Sequence, residues 1–297
     1  MSEFGTISSG AGAFDNFKNG RVVDGTREFL ESNSLVAKAA FLLLVLIVFV
    51  LAVRISAQFL SWLFQYNKSP YLIDGMVDGK TMQVIPQDPN LKNAVTLVRS
   101  DNQQDGIEFT YSTWIIIDDL VYQDGQYRHI FHKGNDNINY TSEPIGMNQP
   151  NNAPGLYIAP NTNALVVVMN TFDNIQEKLT IDDIPLNKWM CVQIRVSNHQ
   201  LDVFINGKLA KRLIMKGVPR QNYGNVYVAM NGGFSGNISD LRYFNSALGT
   251  AEIQSIVDSG PNLTLVGPEA TGNQPKYLSL RLILVLPKND CYFNSLY

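Results

Sequence analysis

The stretch IPLNKWMCVQIRVSNHQLDVFINGKL, residues 184–209, decides the fold. Met190, Val192, Ile194 and Val196 alternate with Cys191, Gln193 and Arg195, the two-residue period of a strand with one buried face. Pro185 stands at the mouth of that strand, where it interrupts no ladder. After the SNHQ turn (197–200), Leu201–Ile205 reads as a second strand and runs into Asn206-Gly207. That pair suits a type I′ turn, whose two central residues both need positive φ. Leu209–Met215 is then the return strand. Consecutive antiparallel strands joined by tight turns predict an all-β domain.

The same period recurs on both sides. Ile107–Ile117 puts Ile107, Phe109, Tyr111, Ile115 and Ile117 on one face. Arg128–Lys133, Gly155–Ala159, Ala164–Met169, Asn225–Met230 and Ile238–Phe244 are further strands, separated by turn-forming residues. GGFSG (232–236) permits a close backbone approach before the last strand. One short helix is predicted over Thr250–Val257, with Thr250 as its cap, Glu252 near its positive end and Gly260-Pro261 as its stop. The chain divides into an N-terminal flexible arm (1–34), a transmembrane helix with an interfacial extension (35–66), a connector with the first strands (67–104), the sandwich (105–262) and a C-terminal tail (263–297). Tyr277–Leu286 within the tail reads as one more strand.

Ala39–Val53, AAFLLLVLIVFVLAV, contains no polar side chain. Counted from Leu35, with Lys38 snorkelling, the apolar run rises about 28 Å as a helix, close to the roughly 30 Å of a hydrocarbon core. Ala39, Phe41, Leu44, Ile47, Val50 and Val53 are the expected anchor, and Trp62 suits the aromatic belt. A leader of more than thirty residues with no small-x-small site argues against a cleaved signal peptide. A single-pass membrane protein is expected. Charged residues make up only 16% of the chain, well below the roughly 25% of soluble domains, which fits a surface partly turned to lipid or protein.

EFTYSTW (108–114), HIFHKG (129–134), PGLYIAPNTNALVVVMNT (154–171), IPLNKWMCVQIRV (184–196), LDVFINGKL (201–209) and GGFSGNISDLRYF (232–244) occur in that order. As a string they resemble the laminin G-like branch of the concanavalin A-like lectin/glucanase superfamily, over roughly residues 105–260. The resemblance implies a jelly-roll sandwich of two antiparallel sheets. GVPRQNYGNVYV (217–228) and SGPNL (259–263) are similar to membrane-tethered copies encoded by large eukaryotic DNA viruses. That narrower likeness implies a virion structural protein, a minor capsid or virion-membrane component. Its partners would be the lipid bilayer and capsid or other virion proteins, in the virion internal membrane or a host membrane during assembly.

The superfamily includes glucan hydrolases, and a retaining glycosidase needs two carboxylates about 5–5.5 Å apart. On a strand this requires an acid-x-acid-x-acid pattern, which the chain lacks; Asp118-Asp119 and Asp182-Asp183 are adjacent pairs. No enzymatic activity and no cofactor are expected. His129 and His132 are three apart on a strand and should point to opposite faces, as separate structural histidines. Cys191 reads as a buried thiol. Several laminin G-like modules bind calcium at the sandwich rim, so the resemblance makes Asp118, Asp119, Asp124 and Asp136 candidate ligands. The alternative function that goes with them is a calcium-assisted, glycan-binding, lectin-like receptor. Lys208, Lys211, Arg212, Lys216 and Arg220 form a basic stretch suited to anionic headgroups or an acidic partner. It has no interleaved base-stacking aromatics, so nucleic acid is not an expected partner.

Overall fold

The computed structural model describes residues 35–63, 67–100 and 106–267. The chain falls into two units, Met1–Gln65 and Tyr66–Tyr297. The first contains helix α1, Leu35–Leu63. Within its Lys38–Leu63 portion an 18-residue stretch has a mean hydropathy of 2.8 and none of that stretch is buried by protein, so the helix is long and apolar enough to cross a membrane. Ala39, Leu44, Ile47, Val50, Val53 and Trp62 are exposed and Phe41 is partly so. The helix is apolar on all sides, as a lipid-facing segment is and an amphipathic helix is not.

The second unit is a two-sheet sandwich. In chain order its strands are β1 (Met76–Asp78), β2 (Gln83–Ile85), β3 (Glu108–Ile117), β4 (Arg128–Gly134), β5 (Gly155–Ile158), β6 (Ala164–Met169), β7 (Glu177–Asp182), β8 (Met190–Ser197), β9 (Gln200–Ile205), β10 (Lys208–Ile214), β11 (Asn225–Val228) and β12 (Gly236–Phe244), followed by helix α2 (Thr250–Ser259). One sheet has the order β1-β12-β3-β8-β9-β10 and the other β2-β11-β4-β5-β6-β7. All these pairings are antiparallel.

The inward alternation expected of β3 and β8 is realised. Phe109, Tyr111, Ile115 and Ile117 join Met190, Val192, Ile194 and Val196 in one core with Phe131, Leu156, Leu165 and Val167 from the facing sheet. Each fully buried side chain of this size contributes about 1.5–3 kcal/mol. The Asn206-Gly207 turn is a two-residue hairpin, with φ of 48° and 79° and Ile205 paired to Lys208. Asn206 Oδ1 also accepts the Cys191 amide at 2.9 Å, which secures β8 to the turn.

The glycine run before β12 works by close approach. A Cβ on Gly236, where φ is 145°, would lie 1.9 Å from the Ile116 carbonyl oxygen. Gly236→Ala should therefore lower unfolding stability by about 2–3 kcal/mol. Urea unfolding of the detergent-solubilised chain, followed by tryptophan emission, measures it; a shift below about 0.5 kcal/mol, the size of an ordinary surface change, would refute the steric account.

Two elements differ from the sequence expectation. β7 was not anticipated, because EKLTID is largely polar and buries only Leu179, Glu177 and part of Ile181 at a sheet edge. Thr250 is the first helical residue rather than the cap; Gly249 is the cap, and its N–H donates to Glu252 Oε2 at 2.8 Å. Ile253 docks the helix, fully buried beside Phe204 and Leu248 on the outer side of the β8–β9 sheet. The arm 1–34 and the expected strand Tyr277–Leu286 lie outside the described residues.

The loops gather at two ends. At the entry end the Lys68 carbonyl accepts the Asn245 amide just past β12, and the Met215 amide reaches the His199 carbonyl. The β6–β7 loop and the β10–β11 loop also lie there, because Met169 pairs with Glu177 and β11 begins at Asn225 opposite Gly134. The opposite end holds the β3–β4 loop and Asp78, which pairs with Asn237 near Gly236.

Candidate functional site

Two acidic residues of the opposite end, Asp119 and Asp124, are held by internal bonds. Asp119 Oδ1 accepts the amides of Val121 and Tyr122, both at 2.9 Å. The Ser235 side chain is the main cause that holds its carboxyl below the ordinary range, with the Tyr122 amide next. Asp124 pairs with Arg128 at 3.2 Å. Arg128 is almost fully buried and braces the same loop: Nε donates to the Tyr122 carbonyl and Nη1 to the Ala159 carbonyl, each at 2.7 Å, and Nη2 donates to the Leu120 carbonyl. Asp118 belongs to this loop, whereas Asp136 follows β4 at the entry end. The four calcium candidates are thus not brought together. Among the described residues no group of three His, Cys, Asp or Glu side chains stands close enough to hold a metal ion. The aromatic beside these aspartates, Tyr122, donates its hydroxyl to the Gly232 carbonyl at 3.0 Å and is capped by Lys80.

The histidines correct the sequence expectation. His129 pairs with Tyr157 and Phe131 with Leu156, so Ile130 is an extra residue in β4, a bulge. Ile130 and Phe131 both enter the core, and the flanking histidines come to one side. His129 Nε2 and His132 Nδ1 are 2.6 Å apart. The Met230 amide donates to His129 Nδ1 at 3.0 Å, so the His129 proton sits on Nε2 and is donated to His132 Nδ1. His132 Nε2–H then donates to the Asn135 carbonyl at 2.7 Å. Burial, reinforced by His132, pushes His129 well below the usual imidazole range, and burial pulls His132 down to about 4. Both rings are neutral, with one permitted tautomer each. Tyr157 meets His129 edge-on and Tyr227 stacks on His132 at 5.1 Å. From Asn135 the network continues through Asn148, Asn151 and Asn152 to Tyr157, which ties the 135–153 loop over the sheet.

The basic stretch divides into parts. Arg212 donates to both oxygens of Asp202, at 2.6 and 3.0 Å, and Lys211 Nζ to the Thr180 carbonyl at 2.8 Å. Lys208 starts β10, away from the entry end. Lys216 and Arg220 alone reach the entry end, in the β10–β11 loop. There Arg220 lies over Phe172 at 5.5 Å. An open groove of about 530 Å³ runs along α2 at the same end, between Lys68, Phe244, Leu248, Glu252 and Ile256. Cys191 is buried as expected, and burial pushes its thiol up to about 12. Sequence reasoning missed Phe172; a phenylalanine in the polar turn TFDN was the available signal.

Two six-stranded antiparallel sheets with an inward period-two core define an antiparallel β-sandwich. A family model described as the concanavalin A-like lectin/glucanases superfamily matches residues 90–254, and the chain belongs to that family. Among solved structures, the receptor-binding domain of a botulinum neurotoxin C/D mosaic serotype is 15% identical, with a TM-score of 0.40, over 52% of this chain and 36% of that one. The ligand-binding domain of botulinum neurotoxin serotype D in complex with N-acetylneuraminic acid is 13% identical, with a TM-score of 0.41, over 64% of this chain and 51% of that one. The chain thus spans about half of those domains or less. Comparison with curated proteins finds no match.

Proposed function

We propose that this chain is a non-catalytic, membrane-anchored interaction protein that presents a laminin G-like sandwich beside a bilayer. One observation carries the reading: α1 is apolar on all sides and unburied over Lys38–Leu63, so the bilayer is its natural solvent. The sandwich itself supports a binding rather than a chemical role. Asp119, Asp202, Arg128, His129 and His132 are engaged in bonds that brace loops and strands. In the narrower setting suggested by residues 217–228 and 259–263, the sandwich links a virion internal membrane to the capsid layer.

The test is fractionation of the full chain. Wild type should stay in the membrane pellet after carbonate washing. Leu44→Arg with Ile47→Arg should release it by more than tenfold, since each central arginine costs about 2.5–3.5 kcal/mol on insertion. A wild-type chain recovered as a soluble monomer without detergent would overturn the proposal. Within virions, cross-linking to a capsid protein supports the narrower reading, while calcium-dependent capture on an oligosaccharide array would favour the lectin-like alternative.

A further inference from the structure

We infer that the entry end of the sandwich is a docking face for an anionic membrane surface, formed by Phe172, Ile175, Ile214 and Val218 with Lys216 and Arg220. This rests on the membrane-anchored reading and adds to it a contact made by the sandwich. Phe172 is 70% exposed and Ile214 63%, and Ile175 and Val218 are each nearly half exposed. Phe172 and Ile175 on the β6–β7 loop and Val218 on the β10–β11 loop, with Ile214 at the last position of β10, are exposed apolar side chains at one end, of the kind that marks interaction sites.

The patch is held in a fixed shape. The Phe172 amide donates to the Val218 carbonyl at 3.0 Å, Thr171 bridges Pro219, and the Arg220 amide donates to the Asn170 carbonyl at 3.0 Å. Thr171 closes the turn beneath Phe172 on the Asn174 carbonyl. A preorganised tip of this kind loses little freedom on insertion.

Two features select the bilayer as occupant. The first is charge. Lys216 and Arg220 flank the apolar tip, which suits headgroup phosphates around an inserted ring. Glu177 is buried and accepts the Lys216 amide, so the carboxylate facing the tip is Asp173, beside Gly217. The entry end also carries Glu108, Asp136 and Glu252, while aspartates 78, 118, 119, 124, 182 and 183 gather at the opposite end, which a negative surface would repel more strongly. The second is connectivity. The chain enters the sandwich at the end that carries the patch, through Lys68 and Ser69 against Asn245 and Arg242. Residues 64–66 alone separate α1 from the first described residue of the sandwich. So short a tether keeps the local lipid concentration high and makes a modest contact sufficient.

The experiment uses the full chain reconstituted in phosphatidylcholine vesicles, with or without phosphatidylserine, and with brominated acyl chains as quencher. Trp62 reports insertion of α1. Phe172→Trp adds a reporter at the tip, with Val218→Trp as a second one should the first disturb folding. Phosphatidylserine should bring quenching of the added tryptophan. Lys216→Gln and Arg220→Gln should each reduce the docked-to-undocked ratio about fivefold. Quenching of Trp62 without quenching of either added tryptophan overturns the docking face and leaves the anchor intact. No quenching of Trp62 overturns the anchor and the inference with it. Tip quenching that ignores both phosphatidylserine and the glutamines overturns the anionic selectivity.

Discussion

Stability of the sandwich should fall steeply as pH drops from 6.5 toward 4.5, above the range in which most carboxylates titrate. The cause is the His129–His132 pair. Each ring accepts a hydrogen bond at one nitrogen and donates one at the other, so a further proton on either would face an N–H. The groups packed around the pair are Tyr157 from β5 and Tyr227 from β11, which offer no carboxylate to compensate a charge. Both histidines therefore titrate lower in the folded chain than the ordinary 6.5. Above that value neither state is protonated and the network contributes fully. Below it the unfolded chain binds protons that the folded chain refuses, which favours unfolding until the folded rings also titrate. For His132, which reaches about 4 in the fold, the loss grows to about 3 kcal/mol, and His129 adds to it. That is a large part of the roughly 5–15 kcal/mol of a typical domain. Urea midpoints at half-unit pH steps give the slope, and His132→Gln should flatten it even though it lowers stability at neutral pH. A wild-type midpoint that stays level from pH 6.5 to 4.5 would show that the pair is not buried and neutral.

Asp202→Ala should cost about 3–5 kcal/mol, the range for breaking a buried ion pair by removing one partner. Asp202 is 1% exposed and accepts from Arg195 at 2.6 Å, from Arg212 at 2.6 and 3.0 Å, and from Gln200 at 2.8 Å. Burial alone would raise its pKa; the bonds from Arg212, Arg195 and Gln200 outweigh burial and lower it. Without the carboxylate, Arg212 can turn to water, being nearly half exposed, but Arg195 cannot. Arg195, 17% exposed, is stacked on Phe204 and keeps one bond to the Leu248 carbonyl, so its charge would be left largely shielded from water and without a carboxylate. The double variant Asp202→Leu with Arg195→Met should recover most of the loss, because it removes the stranded cation along with its partner. Equal destabilisation by the single and double variants would mean that packing, and not the unpaired charge, dominates at this position.

Much of the architecture was legible in local patterns. The alternation of Met190, Val192, Ile194 and Val196 requires a strand with a buried face, and Asn206-Gly207 requires a tight hairpin, since both depend only on residues close in the chain. The unbroken apolar run through Val53 likewise dictates a helix that no sandwich could cover. The candidate sites were less legible. H-x-x-H on a regular strand separates its histidines, and the Ile130 bulge brings them together; a bulge arises from pairing with β5, which no local window contains. The five basic residues close in sequence separate in space for the same kind of reason. Arg212 meets Asp202 on β9, while Lys216 and Arg220 reach the entry end beside Phe172 from another loop.

Taken alone, then, the amino-acid order indicated most of the strands other than β7, where the hairpin closes and which helix is long and apolar enough to cross a membrane, because backbone sterics and side-chain period act over a few residues. The folded chain decided the rest: which side chains neutralise one another, which remain exposed and at which end they meet. Those outcomes depend on strands more than forty positions apart becoming neighbours, as β3 does with β12 and β8.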